Sequence, residues 1–199
     1  MNQFLSKARG ALALVLGAAV LLLAACGGYT AVDVGGSITG LTGNGLVLSN
    51  NGTSTVAPPS KATSFVFPQQ VDIRAPYSVS IVSQPSQQTC ALFNPAGVAG
   101  ATPVTIVNLV CSINTYAVGG TVAGLTGAGL VLTNGSDRIA ITSPDANGNA
   151  GFTFPTPVAD GAAYGVAVLT QPNGQSCTVT NGTVFMGTAP VTNVQVRCQ

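Results

Sequence analysis

The chain has no histidine, no tryptophan and no glutamate, and only six lysines and arginines face five acidic residues in 199 positions. Each scarcity removes a class of function. Without an imidazole, a serine or cysteine nucleophile lacks its usual base. Without glutamate, paired-carboxylate chemistry would need two of the scattered Asp33, Asp72, Asp137, Asp145 and Asp160. A Ser–Lys pair is open only to Lys61, which follows Pro58-Pro59-Ser60 in a stretch that reads as a solvated loop. No catalytic residue is assigned, and the chain is not expected to be an enzyme. No basic stripe is available to neutralise phosphates, which argues against nucleic acid as a partner. Beyond Cys26 no apolar run approaches the ~20 residues that cross a bilayer. Disorder is disfavoured too, because the chain is 46% hydrophobic and nearly neutral.

What is present starts with a leader. Lys7 and Arg9 precede an apolar stretch from Ala11 to Leu23, which ends in Leu23-Ala24-Ala25-Cys26. This is the order of a secretory signal, so residues 1–25 read as a signal peptide. Its last four residues resemble the bacterial lipobox. The resemblance implies that Cys26 receives a diacylglycerol thioether and, after cleavage, an amide-linked acyl chain such as palmitate. Ala24 and Ala25 would fit the narrow peptidase site, with Leu23 in its apolar subsite. Two or three acyl chains at ~0.8 kcal/mol per buried methylene hold a protein in practice irreversibly. Gly27 stands where enterobacterial inner-membrane lipoproteins carry Asp, so the resemblance implies an outer-membrane location in the cell envelope. Cysteine parity agrees: five cysteines are an odd number for an exported protein, and acylation of Cys26 leaves four.

The remainder is a repeat. Residues 35–52 (GGSITGLTGNGLVLSNNG) match residues 119–136 (GGTVAGLTGAGLVLTNGS) at an offset of 84, with 11 of 18 positions identical. An offset of 87 then aligns Phe65-Val66-Phe67-Pro68 with Phe152-Thr153-Phe154-Pro155, Gln84-Pro85 with Gln171-Pro172, Cys90 with Cys177 and Cys111 with Cys198. Repeat two therefore carries a three-residue insertion. The expected organisation is a tether at 26–34, repeats at 35–113 and 119–199, and a short linker from Asn114 to Val118. Apolar residues alternate with small or polar ones, as in Leu46 and Leu48, Tyr77, Val79 and Ile81, or Val107, Leu109 and Cys111. That period of two predicts half-buried strands, separated by Asn-Gly turns such as Asn51-Gly52 and Asn173-Gly174.

The sequence Gly120 to Leu132, then Asp145-Ala146-Asn147-Gly148 ahead of Phe152-Thr153-Phe154, then Tyr164-Gly165-Val166, resembles the transthyretin-like and Cna-B-like modules of bacterial surface proteins. Repeat one departs by lacking the Asp-x-x-Gly turn. Both repeats add a cysteine pair that the family does not require. The fold class expected is all-β, with two tandem β-sandwich (Ig-like or transthyretin-like) domains after the leader. Some of those modules form an intramolecular isopeptide bond through a lysine, but repeat two has no lysine.

Ligand motifs reduce to turns. Gly40-Leu41-Thr42-Gly43-Asn44-Gly45 is as glycine-rich as a phosphate loop, yet it leads into a strand instead of a helix. Asp145-Ala146-Asn147-Gly148-Asn149 spaces oxygens like a calcium loop, but Ala150 and Thr156 stand at its sixth and twelfth positions, so it reads as a turn capped by Asp145. The sequons at Asn51, Asn134 and Asn181 read as hairpin turns. The late cysteines lie too far apart for zinc pairs. Four cysteines allow three pairings. Recurrence at one spacing predicts Cys90 with Cys111 and Cys177 with Cys198. No metal and no cofactor is expected.

These readings lead to a lipid-anchored envelope protein acting as a structural or recognition module, with the membrane as one partner and a protein or glycan as another. Two alternatives follow from the same residues. An envelope inhibitor or small-ligand-binding lipoprotein would show a concave apolar pocket, and a subunit of a larger envelope assembly would show an unpaired edge or an exposed apolar patch.

Overall fold

The computed structural model describes residues 30–142 and 144–199. The signal peptide, Leu23, Ala24, Ala25 and Cys26 lie outside the described residues, as does Ser143. Every regular element among the described residues is a strand. Module one contains β1 (Ala31–Val32), β2 (Val34–Thr39), β3 (Val47–Asn50), β4 (Ser54–Val56), β5 (Ser64–Val66), β6 (Val71–Asp72), β7 (Pro76–Ser83), β8 (Gln88–Phe93), β9 (Ala96–Val98) and β10 (Val104–Ile113). Module two repeats this order as β11 (Thr115–Tyr116), β12 (Val118–Ala123), β13 (Val131–Asn134), β14 (Asp137–Ala140), β15 (Ala150–Thr153), β16 (Val158–Ala159), β17 (Ala163–Thr170), β18 (Cys177–Thr180), β19 (Thr183–Phe185) and β20 (Val191–Cys198).

Each module is a sandwich of two four-stranded sheets. In module one they are ordered β5-β2-β10-β8 and β4-β3-β7-β9, and in module two β15-β12-β20-β18 and β14-β13-β17-β19. The first and last long strands, β2 with β10 and β12 with β20, run parallel, whereas the other pairs are antiparallel. The two-residue periodicity becomes two cores. One gathers Leu46, Leu48, Phe65, Phe67, Tyr77, Val79, Val107 and Leu109, and the other their counterparts from Leu130 to Val196. The Phe-x-Phe pairs pack edge to face, with centroids 5.6 Å apart in module one and 5.8 Å in module two. Burying one such ring contributes roughly 1.5–3 kcal/mol.

The paired glycines have a steric cause. The parallel ladder slips between Val104 and Val107, and again between Val191 and Val194. A bulge at these points brings the Val107 and Val194 carbonyls against β2 and β12. A Cβ on Gly36 or Gly120 would run into those carbonyl oxygens.

The module edges differ from those the repeat pattern suggests. Val32 and Val34 are fully buried in the first core, and β1 pairs with β6, so the stretch proposed as tether joins the fold from Ala31 onward. The linker is likewise structured: Thr115–Tyr116 pair with β16, and Val118 is fully buried. Two-residue strands leave almost no periodic trace, which is why the pattern starts only at the glycine pair.

Candidate functional site

The Asp145 turn is built as a self-capped loop. Asp145 Oδ1 accepts the amide N–H groups of Asn147 at 2.9 Å and Asn149 at 2.8 Å, while Oδ2 accepts the Asn149 side-chain amide at 3.4 Å. The Asn149 amide, ahead of Asn147 and the Asn149 side chain, holds the carboxyl below the usual aspartate value against a smaller desolvation effect. Thr156, the twelfth position of the calcium-like spacing, gives both its amide and its hydroxyl to Asp137, each at 2.9 Å. Among the described residues no group of three or more Asp, Cys, His or Glu side chains is placed to hold a metal.

Repeat one turns at the aligned position without the aspartate, with the Ala62 amide donating to Pro59 where module two has the Gly148 amide donating to Asp145. Lys61 occupies the left-handed conformation (φ 66°) that Gly148 occupies in module two (φ 77°). Its amide donates to the Leu41 carbonyl, whereas in module two the direction is reversed and the Gly148 carbonyl accepts from the Leu125 amide. The Ser60 hydroxyl donates to the Thr42 carbonyl at 2.6 Å, so it is engaged in holding the loop and not poised beside the exposed Lys61.

The Gly-Leu-Thr-Gly loops do cradle a ligand atom, but it belongs to the chain. Gln88 Oε1 accepts the amides of Thr42 and Gly43, both at 2.7 Å, and Gln88 Nε2 donates to the Gly40 carbonyl at 2.7 Å. Gln175 repeats this on Thr126, Gly127 and Gly124. A second glutamine clamps each bridge strand: Gln84 takes the Cys90 amide and gives to its carbonyl, and Gln171 does so for Cys177. The residue pattern aligned Gln84 with Gln171 but did not reveal either clamp. The partners are distant in sequence, and an amide side chain has no periodic signature.

Cys90 bonds Cys111 and Cys177 bonds Cys198. In each pair the residues sit directly opposite on neighbouring strands, β8 with β10 and β18 with β20. Three of the four sulfur-bearing residues are buried in their module's core.

The modules meet at the linker. The Asn114 amide donates to Gln87, the Asp160 amide donates to Asn114, and Gln87 Nε2 reaches Asp160 Oδ1 at 3.5 Å. Gln87 Nε2 also lies where a Cβ on Gly161 would stand.

The outer face of the β5-β2-β10-β8 sheet is the largest chemical difference between the modules. It exposes Val66 (57%), Phe93 (54%), Ile106 (58%) and Val110 (40%), beside an open groove of about 350 Å³ over Gly35 and Gly36. In module two the same positions are Thr153, Thr180, Asn193 and Arg197, all exposed. The groove is shallow and lies on the outside of the sheet, not in a concave interior.

No family model matches the chain, and no curated protein matches it either. Among solved structures, the chain is similar to the TIE protein of Bacillus anthracis with a TM-score of 0.53 and 15% identity. That match covers 84% of this chain and 34% of the TIE protein, so the chain spans about a third of that protein's length. The shaft pilin SpaA from Lactobacillus rhamnosus GG is 12% identical over 85% of this chain and 98% of its own, with a TM-score of 0.26 that bears no weight. The likeness to the TIE protein shows a shared fold, and the described residues form tandem Ig-like β-sandwiches.

Proposed function

We propose that the protein is a lipid-anchored cell-envelope component whose two sandwiches form a structural or recognition element at the outer membrane. The observation that carries this reading is the sequence Leu23-Ala24-Ala25-Cys26, which resembles a lipobox and stands with its cysteine four residues ahead of Thr30, the first described residue. Acyl chains on Cys26 would hold module one near the bilayer and project module two away from it. The Gln87, Asn114 and Asp160 contacts support a defined angle between the modules. At the far tip of module two, the Asp145 turn, the Gln175-clamped loop and the bridge beside it form a pre-ordered surface. Such loops on a rigid scaffold are where a protein or glycan partner would bind. Catalysis plays no part in this reading: the chain has no imidazole, and the Asp145 carboxylate is taken up by backbone amides.

The test is Cys26→Ser with fatty-acid labelling in cells. Wild type should incorporate label and have residue 26 as its mature N-terminus, and the variant should accumulate as an unlabelled full-length precursor. Unlabelled wild-type protein, or a mature N-terminus elsewhere, would overturn the reading.

A further inference from the structure

We infer that the end of module one where the chain enters is a seat for a zwitterionic phospholipid surface, formed by Val66, Phe93, Val98 and Ile106 with Arg74 at its rim. The inference rests on the anchoring proposed above and adds an orientation to it.

The four side chains lie at one end of the sandwich, Val66, Phe93 and Ile106 on the outer face of one sheet and Val98 on the outer face of the other. Val66 stands opposite Gly35 at the start of β2. Ile106 lies near the start of β10, whose Val104 is opposite Val34. Phe93 is opposite Asn108, one diagonal step from Ile106. Val98 is opposite Pro76. Thr30 is tied to the same end, since the Ile73 amide donates to it and the Arg74 amide donates to Ala99 beside Val98. All four apolar side chains are more than half exposed, Val98 at 66%. Exposed apolar side chains gathered around one end mark a contact surface in a folded module.

Three observations select lipid as the occupant. Thr30 follows Cys26 by four residues, so at ~3.5 Å per residue the acylated cysteine is never more than about 14 Å from this end. The cluster also belongs to the tethered module. In module two the counterparts of Val66, Phe93 and Ile106 are Thr153, Thr180 and Asn193, and the remaining one, Phe185, lies on β19 opposite Ala163, at the end that meets module one. Finally, the charges at this end are Arg74, Asp33 and Asp72, a mixture that gives anionic lipid no advantage. Asp33 is already engaged by the Gln70 side chain at 2.9 Å. The fit is therefore apolar insertion at headgroup level, with the Arg74 stem lying along the surface and its guanidinium among the phosphates.

The chain has no tryptophan, so a single introduced indole reports its own surroundings. Full-length acylated Phe93→Trp, with Thr180→Trp as the matched position in module two, is reconstituted into phosphatidylcholine vesicles with or without bromine on the acyl chains. Ile106→Trp gives an independent reading from the neighbouring strand. The expected result is a blue shift and strong bromine quenching for Phe93→Trp and Ile106→Trp, unaffected by salt, with Thr180→Trp unquenched. Protein that fails to float with vesicles overturns the anchor and the seat together. Protein that floats with no indole quenched, or with all three quenched alike, overturns the seat and leaves the anchor standing. A blue shift already present without vesicles, accompanied by a dimer on cross-linking, assigns the face to a second copy and overturns the inference.

Discussion

Module one places Lys61, Arg74 and Gln87 in the left-handed conformation at three turns where module two uses Gly148, Gly161 and Gly174. A side chain in that conformation costs roughly 1–2 kcal/mol relative to a right-handed one. The backbone path is therefore shared, and residue choice at these turns follows what lies around them. Gly161 has no room for a Cβ because Gln87 of the other module stands there, while Gln87 uses its side chain to reach Asp160. Arg74, the counterpart of Gly161, is at the opposite end of module one, where no module precedes it among the described residues, and there a long cation fits. The same framework thus presents an apolar, cation-rimmed end in one copy and a module-facing end in the other.

The comparison can be broken most strongly at the bridges. Each closes a sequence separation of 21, worth roughly 3 kcal/mol in the chain-entropy picture. Cys90→Ser with Cys111→Ser should therefore lower the unfolding free energy of module one by that order and leave module two unchanged in denaturant melts. Replacing Cys177 and Cys198 should do the converse. A single cooperative transition shifting in both cases would show that the modules unfold as one unit. A non-reducing tryptic digest checks connectivity: peptide 75–138 should hold an internal bridge, and peptide 139–197 should be joined to Cys198-Gln199. A mass linking 75–138 to 139–197 would contradict the pairing.

The next largest effect is expected at the glycine pairs. Gly36→Ala and Gly120→Ala each push a methyl group into a bulge carbonyl, Val107 or Val194, for a loss of about 1–3 kcal/mol. Equal losses would show that the bulge is a shared requirement of the fold. A loss confined to Gly36→Ala would show that module two relaxes its ladder more easily. Gly151→Ala, with open space around its added Cβ, is the control and should be nearly neutral.

Glutamine truncation should come third and sharpen the comparison. Gln88 is 3% exposed and Gln175 is half-buried, although both hold three backbone groups. Leaving two amides and a carbonyl unpaired costs about 1–3 kcal/mol when they are buried and less where water can replace the side chain. Gln88→Ala should accordingly destabilise more than Gln175→Ala, and hydrogen exchange at Thr42 and Gly43 should accelerate more than at Thr126 and Gly127. The reverse order would mean that the distal loop depends on its clamp more than burial implies.

These three tests fall on features of unequal visibility in the residues. The sandwich class was legible because Leu46/Leu48, Phe65/Phe67 and Val107/Leu109 alternate over well-spaced strands, and because the repeat doubles each signal. The cysteine pairing was legible for the same reason. The clamps were hidden, since Gln88 meets its loop 45 and 46 residues away and no local pattern requires an amide there. The apolar seat was hidden as well: Val66, Phe93, Val98 and Ile106 are separated in sequence, and only the pairings of β2 with β5 and β10, of β8 with β10 and of β9 with β7 bring them to one end. Repeat one lacks the Asp-x-x-Gly turn, and no residue pattern signals that Lys61 takes the left-handed conformation at the aligned position.

That turn supports the smallest and most selective prediction. In module two it is held by the Asp145 carboxylate, whose folded-state value lies below that of an unfolded aspartate because amides of Asn149 and Asn147 stabilise the charged form. A group lowered in this way contributes stability above its unfolded value, and loses it as pH falls through the folded one. In module one the corresponding loop rests on Pro58-Pro59, the Ser60 hydroxyl and the Lys61 amide, none of which titrates as a carboxylate. Acidification from pH 5 downward should therefore lower the protection of the Asn147 and Asn149 amides, with the intrinsic pH dependence of exchange divided out, while Lys61 and Ala62 keep theirs, and Asp145→Asn should flatten the difference. Because Asp145 is fully exposed to solvent, the effect should be local and leave the global melt almost unmoved. Equal acid response at both turns would mean that proline stiffness and the serine hydroxyl do not substitute for the carboxylate, and that the two turns are related in shape alone.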